Sequence, residues 1–182
     1  EMLEEAEKSL MGSPGHRRNI LNIWHRKVNI GIAYNNESLH LVQQFEGDYI
    51  EFSKLPTLSG SIFSMAGKVI NGTIDSVALY YDPLPQPLTR RQLEAPPYVY
   101  AYSLGERAGG VIPPPPPGYF YTDLPPNSVQ ASKWDVSPGG SFVIEANISP
   151  LLKQGKGVYT IVIWAKIGDE SVNLTNYSIF VR

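Results

Sequence analysis

The sequence predicts an α+β chain that is mainly β, in two parts. The first, residues 1–55, carries helices and one hairpin. The second, residues 56–182, is an antiparallel β-sandwich. Three observations predict this. Helix-forming residues with apolar groups at 3–4 spacing are confined to the start of the chain. From residue 27 onward the apolar residues alternate with period two. From residue 58 onward short alternating runs are punctuated by Gly, Pro, Asn and Asp, as in an all-β domain.

The opening run "EMLEEAEKSLM" places Met2, Leu3, Ala6, Leu10 and Met11 around one helical face. Gly12 ends that helix. Ser13-Pro14 starts a second one, serine as N-cap and proline at the first helical position, with His16 near its N-terminus. The runs "KVNIGIAY" and "LHLVQQF" flank the turn residues Asn35-Asn36-Glu37 and read as a hairpin. A domain boundary is expected near residues 53–58.

Seven strand signals follow: "SIFSM", "GKVI", "TIDSVALYYD", "SVQASKWDV", "SFVIEANI", "GVYTIVIWAKI" and "VNLTNYSIFV". Their number and spacing predict an immunoglobulin-like sandwich. "GVYTIVIWAKI" is apolar on both faces, which predicts a central strand, with Trp164 and Phe142 in the core. Ser149-Pro150 opens a one-turn helix, and Thr89 caps another. Residues 83–126 hold 12 of the 16 prolines, and residues 80–121 hold seven of the 11 tyrosines. The run Pro113–Pro117 is a stiff polyproline strut. It reads either as a ligand segment for an aromatic groove or, preferred here, as an insertion pinned by its own tyrosines.

Composition narrows the chemistry. The hydrophobic share of 42% supports a packed core, and a net charge of −2 gives no electrostatic hold on nucleic acid. No apolar run reaches the length of a transmembrane segment. With no cysteine, disulfides, thiolate metal sites and cysteine nucleophiles are excluded. The three histidines, His16, His25 and His40, form no H-E-x-x-H pair, and no glycine-rich phosphate loop is present. Five of the 10 asparagines, Asn36, Asn71, Asn147, Asn173 and Asn176, head N-x-S/T triplets. This points to a glycoprotein that is secreted or held at the cell surface.

Three stretches in order, "SPGHRRNILN", "VNIGIAY" and "HLVQQF", resemble the C-terminal half of a CAP domain, the superfamily of cysteine-rich secretory (SCP-like), antigen 5 and plant pathogenesis-related proteins. Leu10 to Arg17 stand for the family's W-M-x-S-P-G-H-R block. Ile30-Gly31-Ile32-Ala33 stand for part of its I-G-x-G-x-A strand, and Val42-Gln43-Gln44-Phe45 for its V-Q-x-F strand. The resemblance spans residues 1–52. It implies half of an α-β-α sandwich, with His16 lining a ligand cavity that a divalent metal could enter once completed. It also implies, as partner, the N-terminal half of the domain, supplied as a processed fragment or a second chain. Leu10 replaces the family's tryptophan, and Gly12 and Ser13 stand near where its second glutamate is expected. The absence of cysteine and the density of sequons point to an archaeal member.

The expected function is that of a secreted or cell-surface, non-enzymatic binding protein of CAP type. It would bind through the completed cavity and the sandwich surface, with no catalytic residues and no cofactor of its own. Two alternatives stand beside it. One is a structural or adhesive lattice or filament component that self-assembles. The other is a hydrolase using His16 with carboxylates from the other half-domain.

Overall fold

A computed structural model describes residues 2–95 and 104–182. Pro96, Pro97, Tyr98, Tyr100 and Tyr102 of the Pro/Tyr-rich segment lie outside the described residues. The chain is mainly β and divides into two compact units, residues 1–48 and 49–182.

The first unit holds α1 (Met2–Gly12), α2 (Pro14–Ile20), β1 (Lys27–Tyr34) and β2 (Leu39–Glu46). The hairpin pairs Val28 with Phe45, Ile30 with Gln43 and Ile32 with Leu41. Asn35 shapes its turn: the side-chain oxygen accepts from the backbone N–H groups of Glu37 and Ser38 at 2.8 Å each. Ser13 has the extended backbone of an N-cap, but its side chain makes no capping bond. The hydroxyl meets His16 Nδ1 instead, at 2.9 Å.

The second unit begins at Tyr49, ahead of the boundary expected at 55/56, because residues 50–59 pair into a sheet. Its strands are β3 (Ile50–Ser59), β4 (Ile62–Val69), β5 (Thr73–Asp82), β6 (Glu106–Ile112), β7 (Ser128–Gln130), β8 (Lys133–Val136), β9 (Ser141–Asn147), β10 (Gly157–Ile167) and β11 (Glu170–Val181). They form a five-stranded sheet, β11-β10-β5-β6-β7, and a four-stranded sheet, β3-β4-β9-β8. Every described pairing is antiparallel except β6 with β7. The separate signals "SIFSM" and "GKVI" are one strand, β4. Gly67 keeps β4 continuous, since a Cβ there would stand 2.9 Å from the Phe142 ring and collide with the Glu51 carbonyl.

One core joins the two sheets. Phe63, Met65, Phe142 and Ile144 of the smaller sheet share it with Val77, Leu79, Tyr159, Ile161 and Ile163 of the larger. Leu151, from the 3-10 turn Ser149–Leu151, seals one side. Burial, with the Tyr81 hydroxyl nearby, holds the Tyr159 phenol above its ordinary pKa. Its hydroxyl donates to the Gly155 carbonyl at 3.0 Å.

Trp164 departs from expectation. It pairs with Ser76 and Asn173, one residue out of phase with the core-facing Ile163 and Ala165, so it stands half-buried on the outer face. The alternation of β10 places it there, because Ile161 and Ile163 already claim the inner face.

α3 (Arg90–Leu93) starts at Thr89, whose hydroxyl and Gln92 form a reciprocal capping box. The strut Pro113–Pro117 ends in Gly118, at φ +83°, and Tyr121 returns its hydroxyl to the Pro113 carbonyl at 2.8 Å. That strut belongs to the connection between the parallel strands β6 and β7. At their junction a Cβ on Gly109 would collide with the Asn127 carbonyl.

Phe142→Ala should destabilise the second unit by about 3–5 kcal/mol, the usual loss for a buried aromatic. Trp164→Ala should cost less than half of that, because the indole is only partly removed from water. Urea unfolding of both variants, followed by far-ultraviolet circular dichroism, checks this.

Candidate functional site

Among the described residues from Met2 to Asp48, none is buried. The hairpin nevertheless presents an apolar face. Val28 is 48% exposed, Ile30 59%, Ile32 50% and Tyr34 78%. They alternate onto one side of β1, and the register sets Leu39, Leu41 and Phe45 of β2 beside them. α1 adds Met2 and Leu3, both exposed. A surface of this apolar content in water has the character of an interaction site.

His16 is exposed, one turn into α2. Its bond to Ser13 Oγ links the N-cap to the second residue after the helix-starting proline. His25 lies in the turn before β1. It stacks on Phe45 with ring centroids 4.8 Å apart, and its Nε2 meets Asn19 Oδ1 at 3.0 Å. The three histidines are therefore separate: His40 sits on the opposite face of the hairpin from Phe45, across from Ala33. No group of three His, Asp or Glu side chains able to hold a metal ion occurs among the described residues. Glu4 and Glu7, with Lys8 and Met11, line a shallow depression on α1.

A salt bridge closes the base of the hairpin, from Lys27 Nζ to Asp48 Oδ2 at 2.8 Å. The hydrogen bond to Lys27 holds the Asp48 carboxyl below its ordinary pKa, and the same bond raises that of Lys27. The contribution of Asp48 is present above its unfolded pKa and is lost as pH falls through the depressed folded value. Both side chains are well exposed, so the pair fixes strand ends more than it stabilises them.

All five sequon asparagines are exposed. Asn36 stands at the tip of the β1–β2 turn. Asn71 occupies the turn between β4 and β5 with φ +60°. Asn147 ends β9, and its side chain accepts from the Ser149 N–H at 3.0 Å, just ahead of Pro150. Asn173 and Asn176 would fall on opposite faces of a regular strand. A bulge intervenes, because Ile163 pairs with Thr175 while Trp164 pairs with Asn173. Both asparagines thereby reach the outer face, where Asn173 Nδ2 donates to Asn176 Oδ1 at 3.3 Å.

Sequence reasoning missed a second site. The outer face of the five-stranded sheet holds a cleft of about 280 Å³ lined by Ser76, Tyr80, Arg107, Ser128, Trp164 and Ser171, among others. The two-sided apolar pattern of β10 predicts a central strand with Trp164 in the core, and carries no sign of an outer cleft.

Set against protein-family models, curated proteins and solved structures, the chain matches none. Among the described residues no helix is long and apolar enough to cross a membrane.

In material made by an N-glycosylating host, peptide mass spectrometry should find sugar on Asn36 and Asn71, which stand exposed in turns. Asn173 and Asn176 should carry one sugar between them, since each already contacts the other. Occupancy of both strand positions with a bare Asn36 and Asn71 would contradict the accessibility order drawn here.

Proposed function

We propose that this chain is a secreted or cell-surface binding protein without catalytic activity. In this reading its first unit is one half of a CAP-type module and its second unit is an immunoglobulin-like sandwich. The observation that carries the reading is the absence of any buried residue among those described from Met2 to Asp48, set beside an apolar hairpin face. A two-stranded hairpin with two short helices buries too little to stand by itself, and this one has no disulfide and, among its described residues, no grouped metal ligands.

A companion segment is the natural cover for that face. The three motif stretches name it as the N-terminal half of the same kind of domain, arriving as a processed fragment or as a second chain. Once it docks, β1 and β2 gain a packed face and His16 gains an opposing wall, which together make a ligand cavity. A divalent metal would enter only with carboxylates from that companion. The five exposed sequon asparagines support the surface location. The non-enzymatic assignment rests on the resemblance of the three motif stretches to a family that binds rather than catalyses.

Native mass spectrometry of protein from its source should show the 20.2 kDa chain bound to a companion polypeptide, with cross-links from Lys8 and Lys27. Ile30→Asp should abolish that retention and leave the unfolding of the second unit within about 0.5 kcal/mol, as for an exposed position. Recovery of the unsubstituted chain alone, or retention of the companion by Ile30→Asp, would overturn the reading.

A further inference from the structure

We propose that the outer face of the five-stranded sheet is a binding site for a monoanionic acidic sugar, a hexuronic acid or a residue like it. The proposal rests on the binding-protein reading only in taking the sandwich surface as a contact surface. Nothing in it depends on what covers the first unit.

The site is built by register. β5 turns Ser76, Ala78 and Tyr80 outward, β10 turns Trp164 outward, and β6 contributes Arg107 and Gly110. Parallel pairing sets Ser128 of β7 beside Gly110, and Pro125 of the preceding loop lines the cleft. Gly110 forms the floor under the guanidinium: a Cβ added there would stand 3.9 Å from Arg107 Nη2 and 3.0 Å from the Val77 carbonyl.

Three features point to the ligand. Arg107 is the sole charged group among the described residues lining the cleft. Its planar fork suits one carboxylate bidentately, and a single positive charge matches a monoanion better than a phosphate. Trp164 and Tyr80 offer flat, electron-rich faces on which the C–H side of a pyranose ring packs. Ser128 Oγ, behind the cleft lining, is buried with no hydrogen-bond partner, a state that costs free energy. Ser76 and Ser171 add hydroxyls for the ring's own hydroxyls. The cleft, about 280 Å³, lies at the small end of ligand sites and suits a single ring.

The test compares methyl β-glucuronide with methyl β-glucoside, which share the ring and differ in the carboxylate, by calorimetric titration of the full chain. The glucuronide should bind about tenfold or more tightly, a difference of about 1.4 kcal/mol. Arg107→Gln should erase that preference with the glucoside unaffected, and Trp164→Ala should weaken both. Ser128→Ala should leave thermal unfolding unchanged or raised, since it removes an unpaired buried hydroxyl. Equal affinity for the two sugars, no saturable heat with either, inorganic phosphate binding as tightly as the glucuronide, or an unaltered preference in Arg107→Gln would each overturn the proposal. None of these outcomes bears on the companion of the first unit, which is read from retention of a second polypeptide.

Discussion

The second unit is organised around β10, which pairs with β5 along one edge and β11 along the other over most of its 11 residues. Tyr159, Ile161, Ile163 and Ala165 go inward from it and are essentially fully buried. Once they are placed, the alternation leaves no freedom for the other residues: Thr160, Val162 and Trp164 must face outward. The outer cleft is thus a consequence of the core. The same side chains that hold the sandwich together fix Trp164 beside Ser76, and the bulge opposite Trp164 fixes the two asparagines of β11.

The first unit has no equivalent of β10. Its strands carry as much branched aliphatic character as many core strands, yet their apolar face remains in water. Burial of such side chains contributes about 1.5–3 kcal/mol each when complete, and here that gain is largely unrealised. The two halves of the chain are therefore different kinds of object. One has a core and displays a site on its outer surface. The other displays the surface from which a core would be made.

Much of this was legible in the sequence, and the failures have physical causes. The hairpin was readable because its alternation is uninterrupted, and α3 because threonine is a good N-cap; the capping box with Gln92 is what the structure adds. β3 runs through the boundary expected near residues 53–58, with Pro56 inside it. The strand tolerates that proline because it lies at the sheet edge, where register shifts free the proline from the ladder. β6 was missed because its adjacent glycines Gly109 and Gly110 have low strand propensity, and close contacts with Asn127 and Val77 exclude side chains there. Trp164, expected in the core, stands on the outer face because the phase of β10 and not the size of the side chain decides its side. The cleft was illegible altogether, since Arg107, Ser128 and Trp164 come from three strands that only the sheet order brings together.

The central claim is that residues 2–48 are not self-supporting, whereas residues 49–182 are. Native-state hydrogen exchange on the isolated chain tests it most directly, because it reads local stability amide by amide. The account predicts that the amides of β1 and β2 exchange through local opening, at a free energy far below that of β10, whose amides open only with global unfolding. Protection of the β1–β2 amides equal to that of β10 in the isolated chain would contradict it.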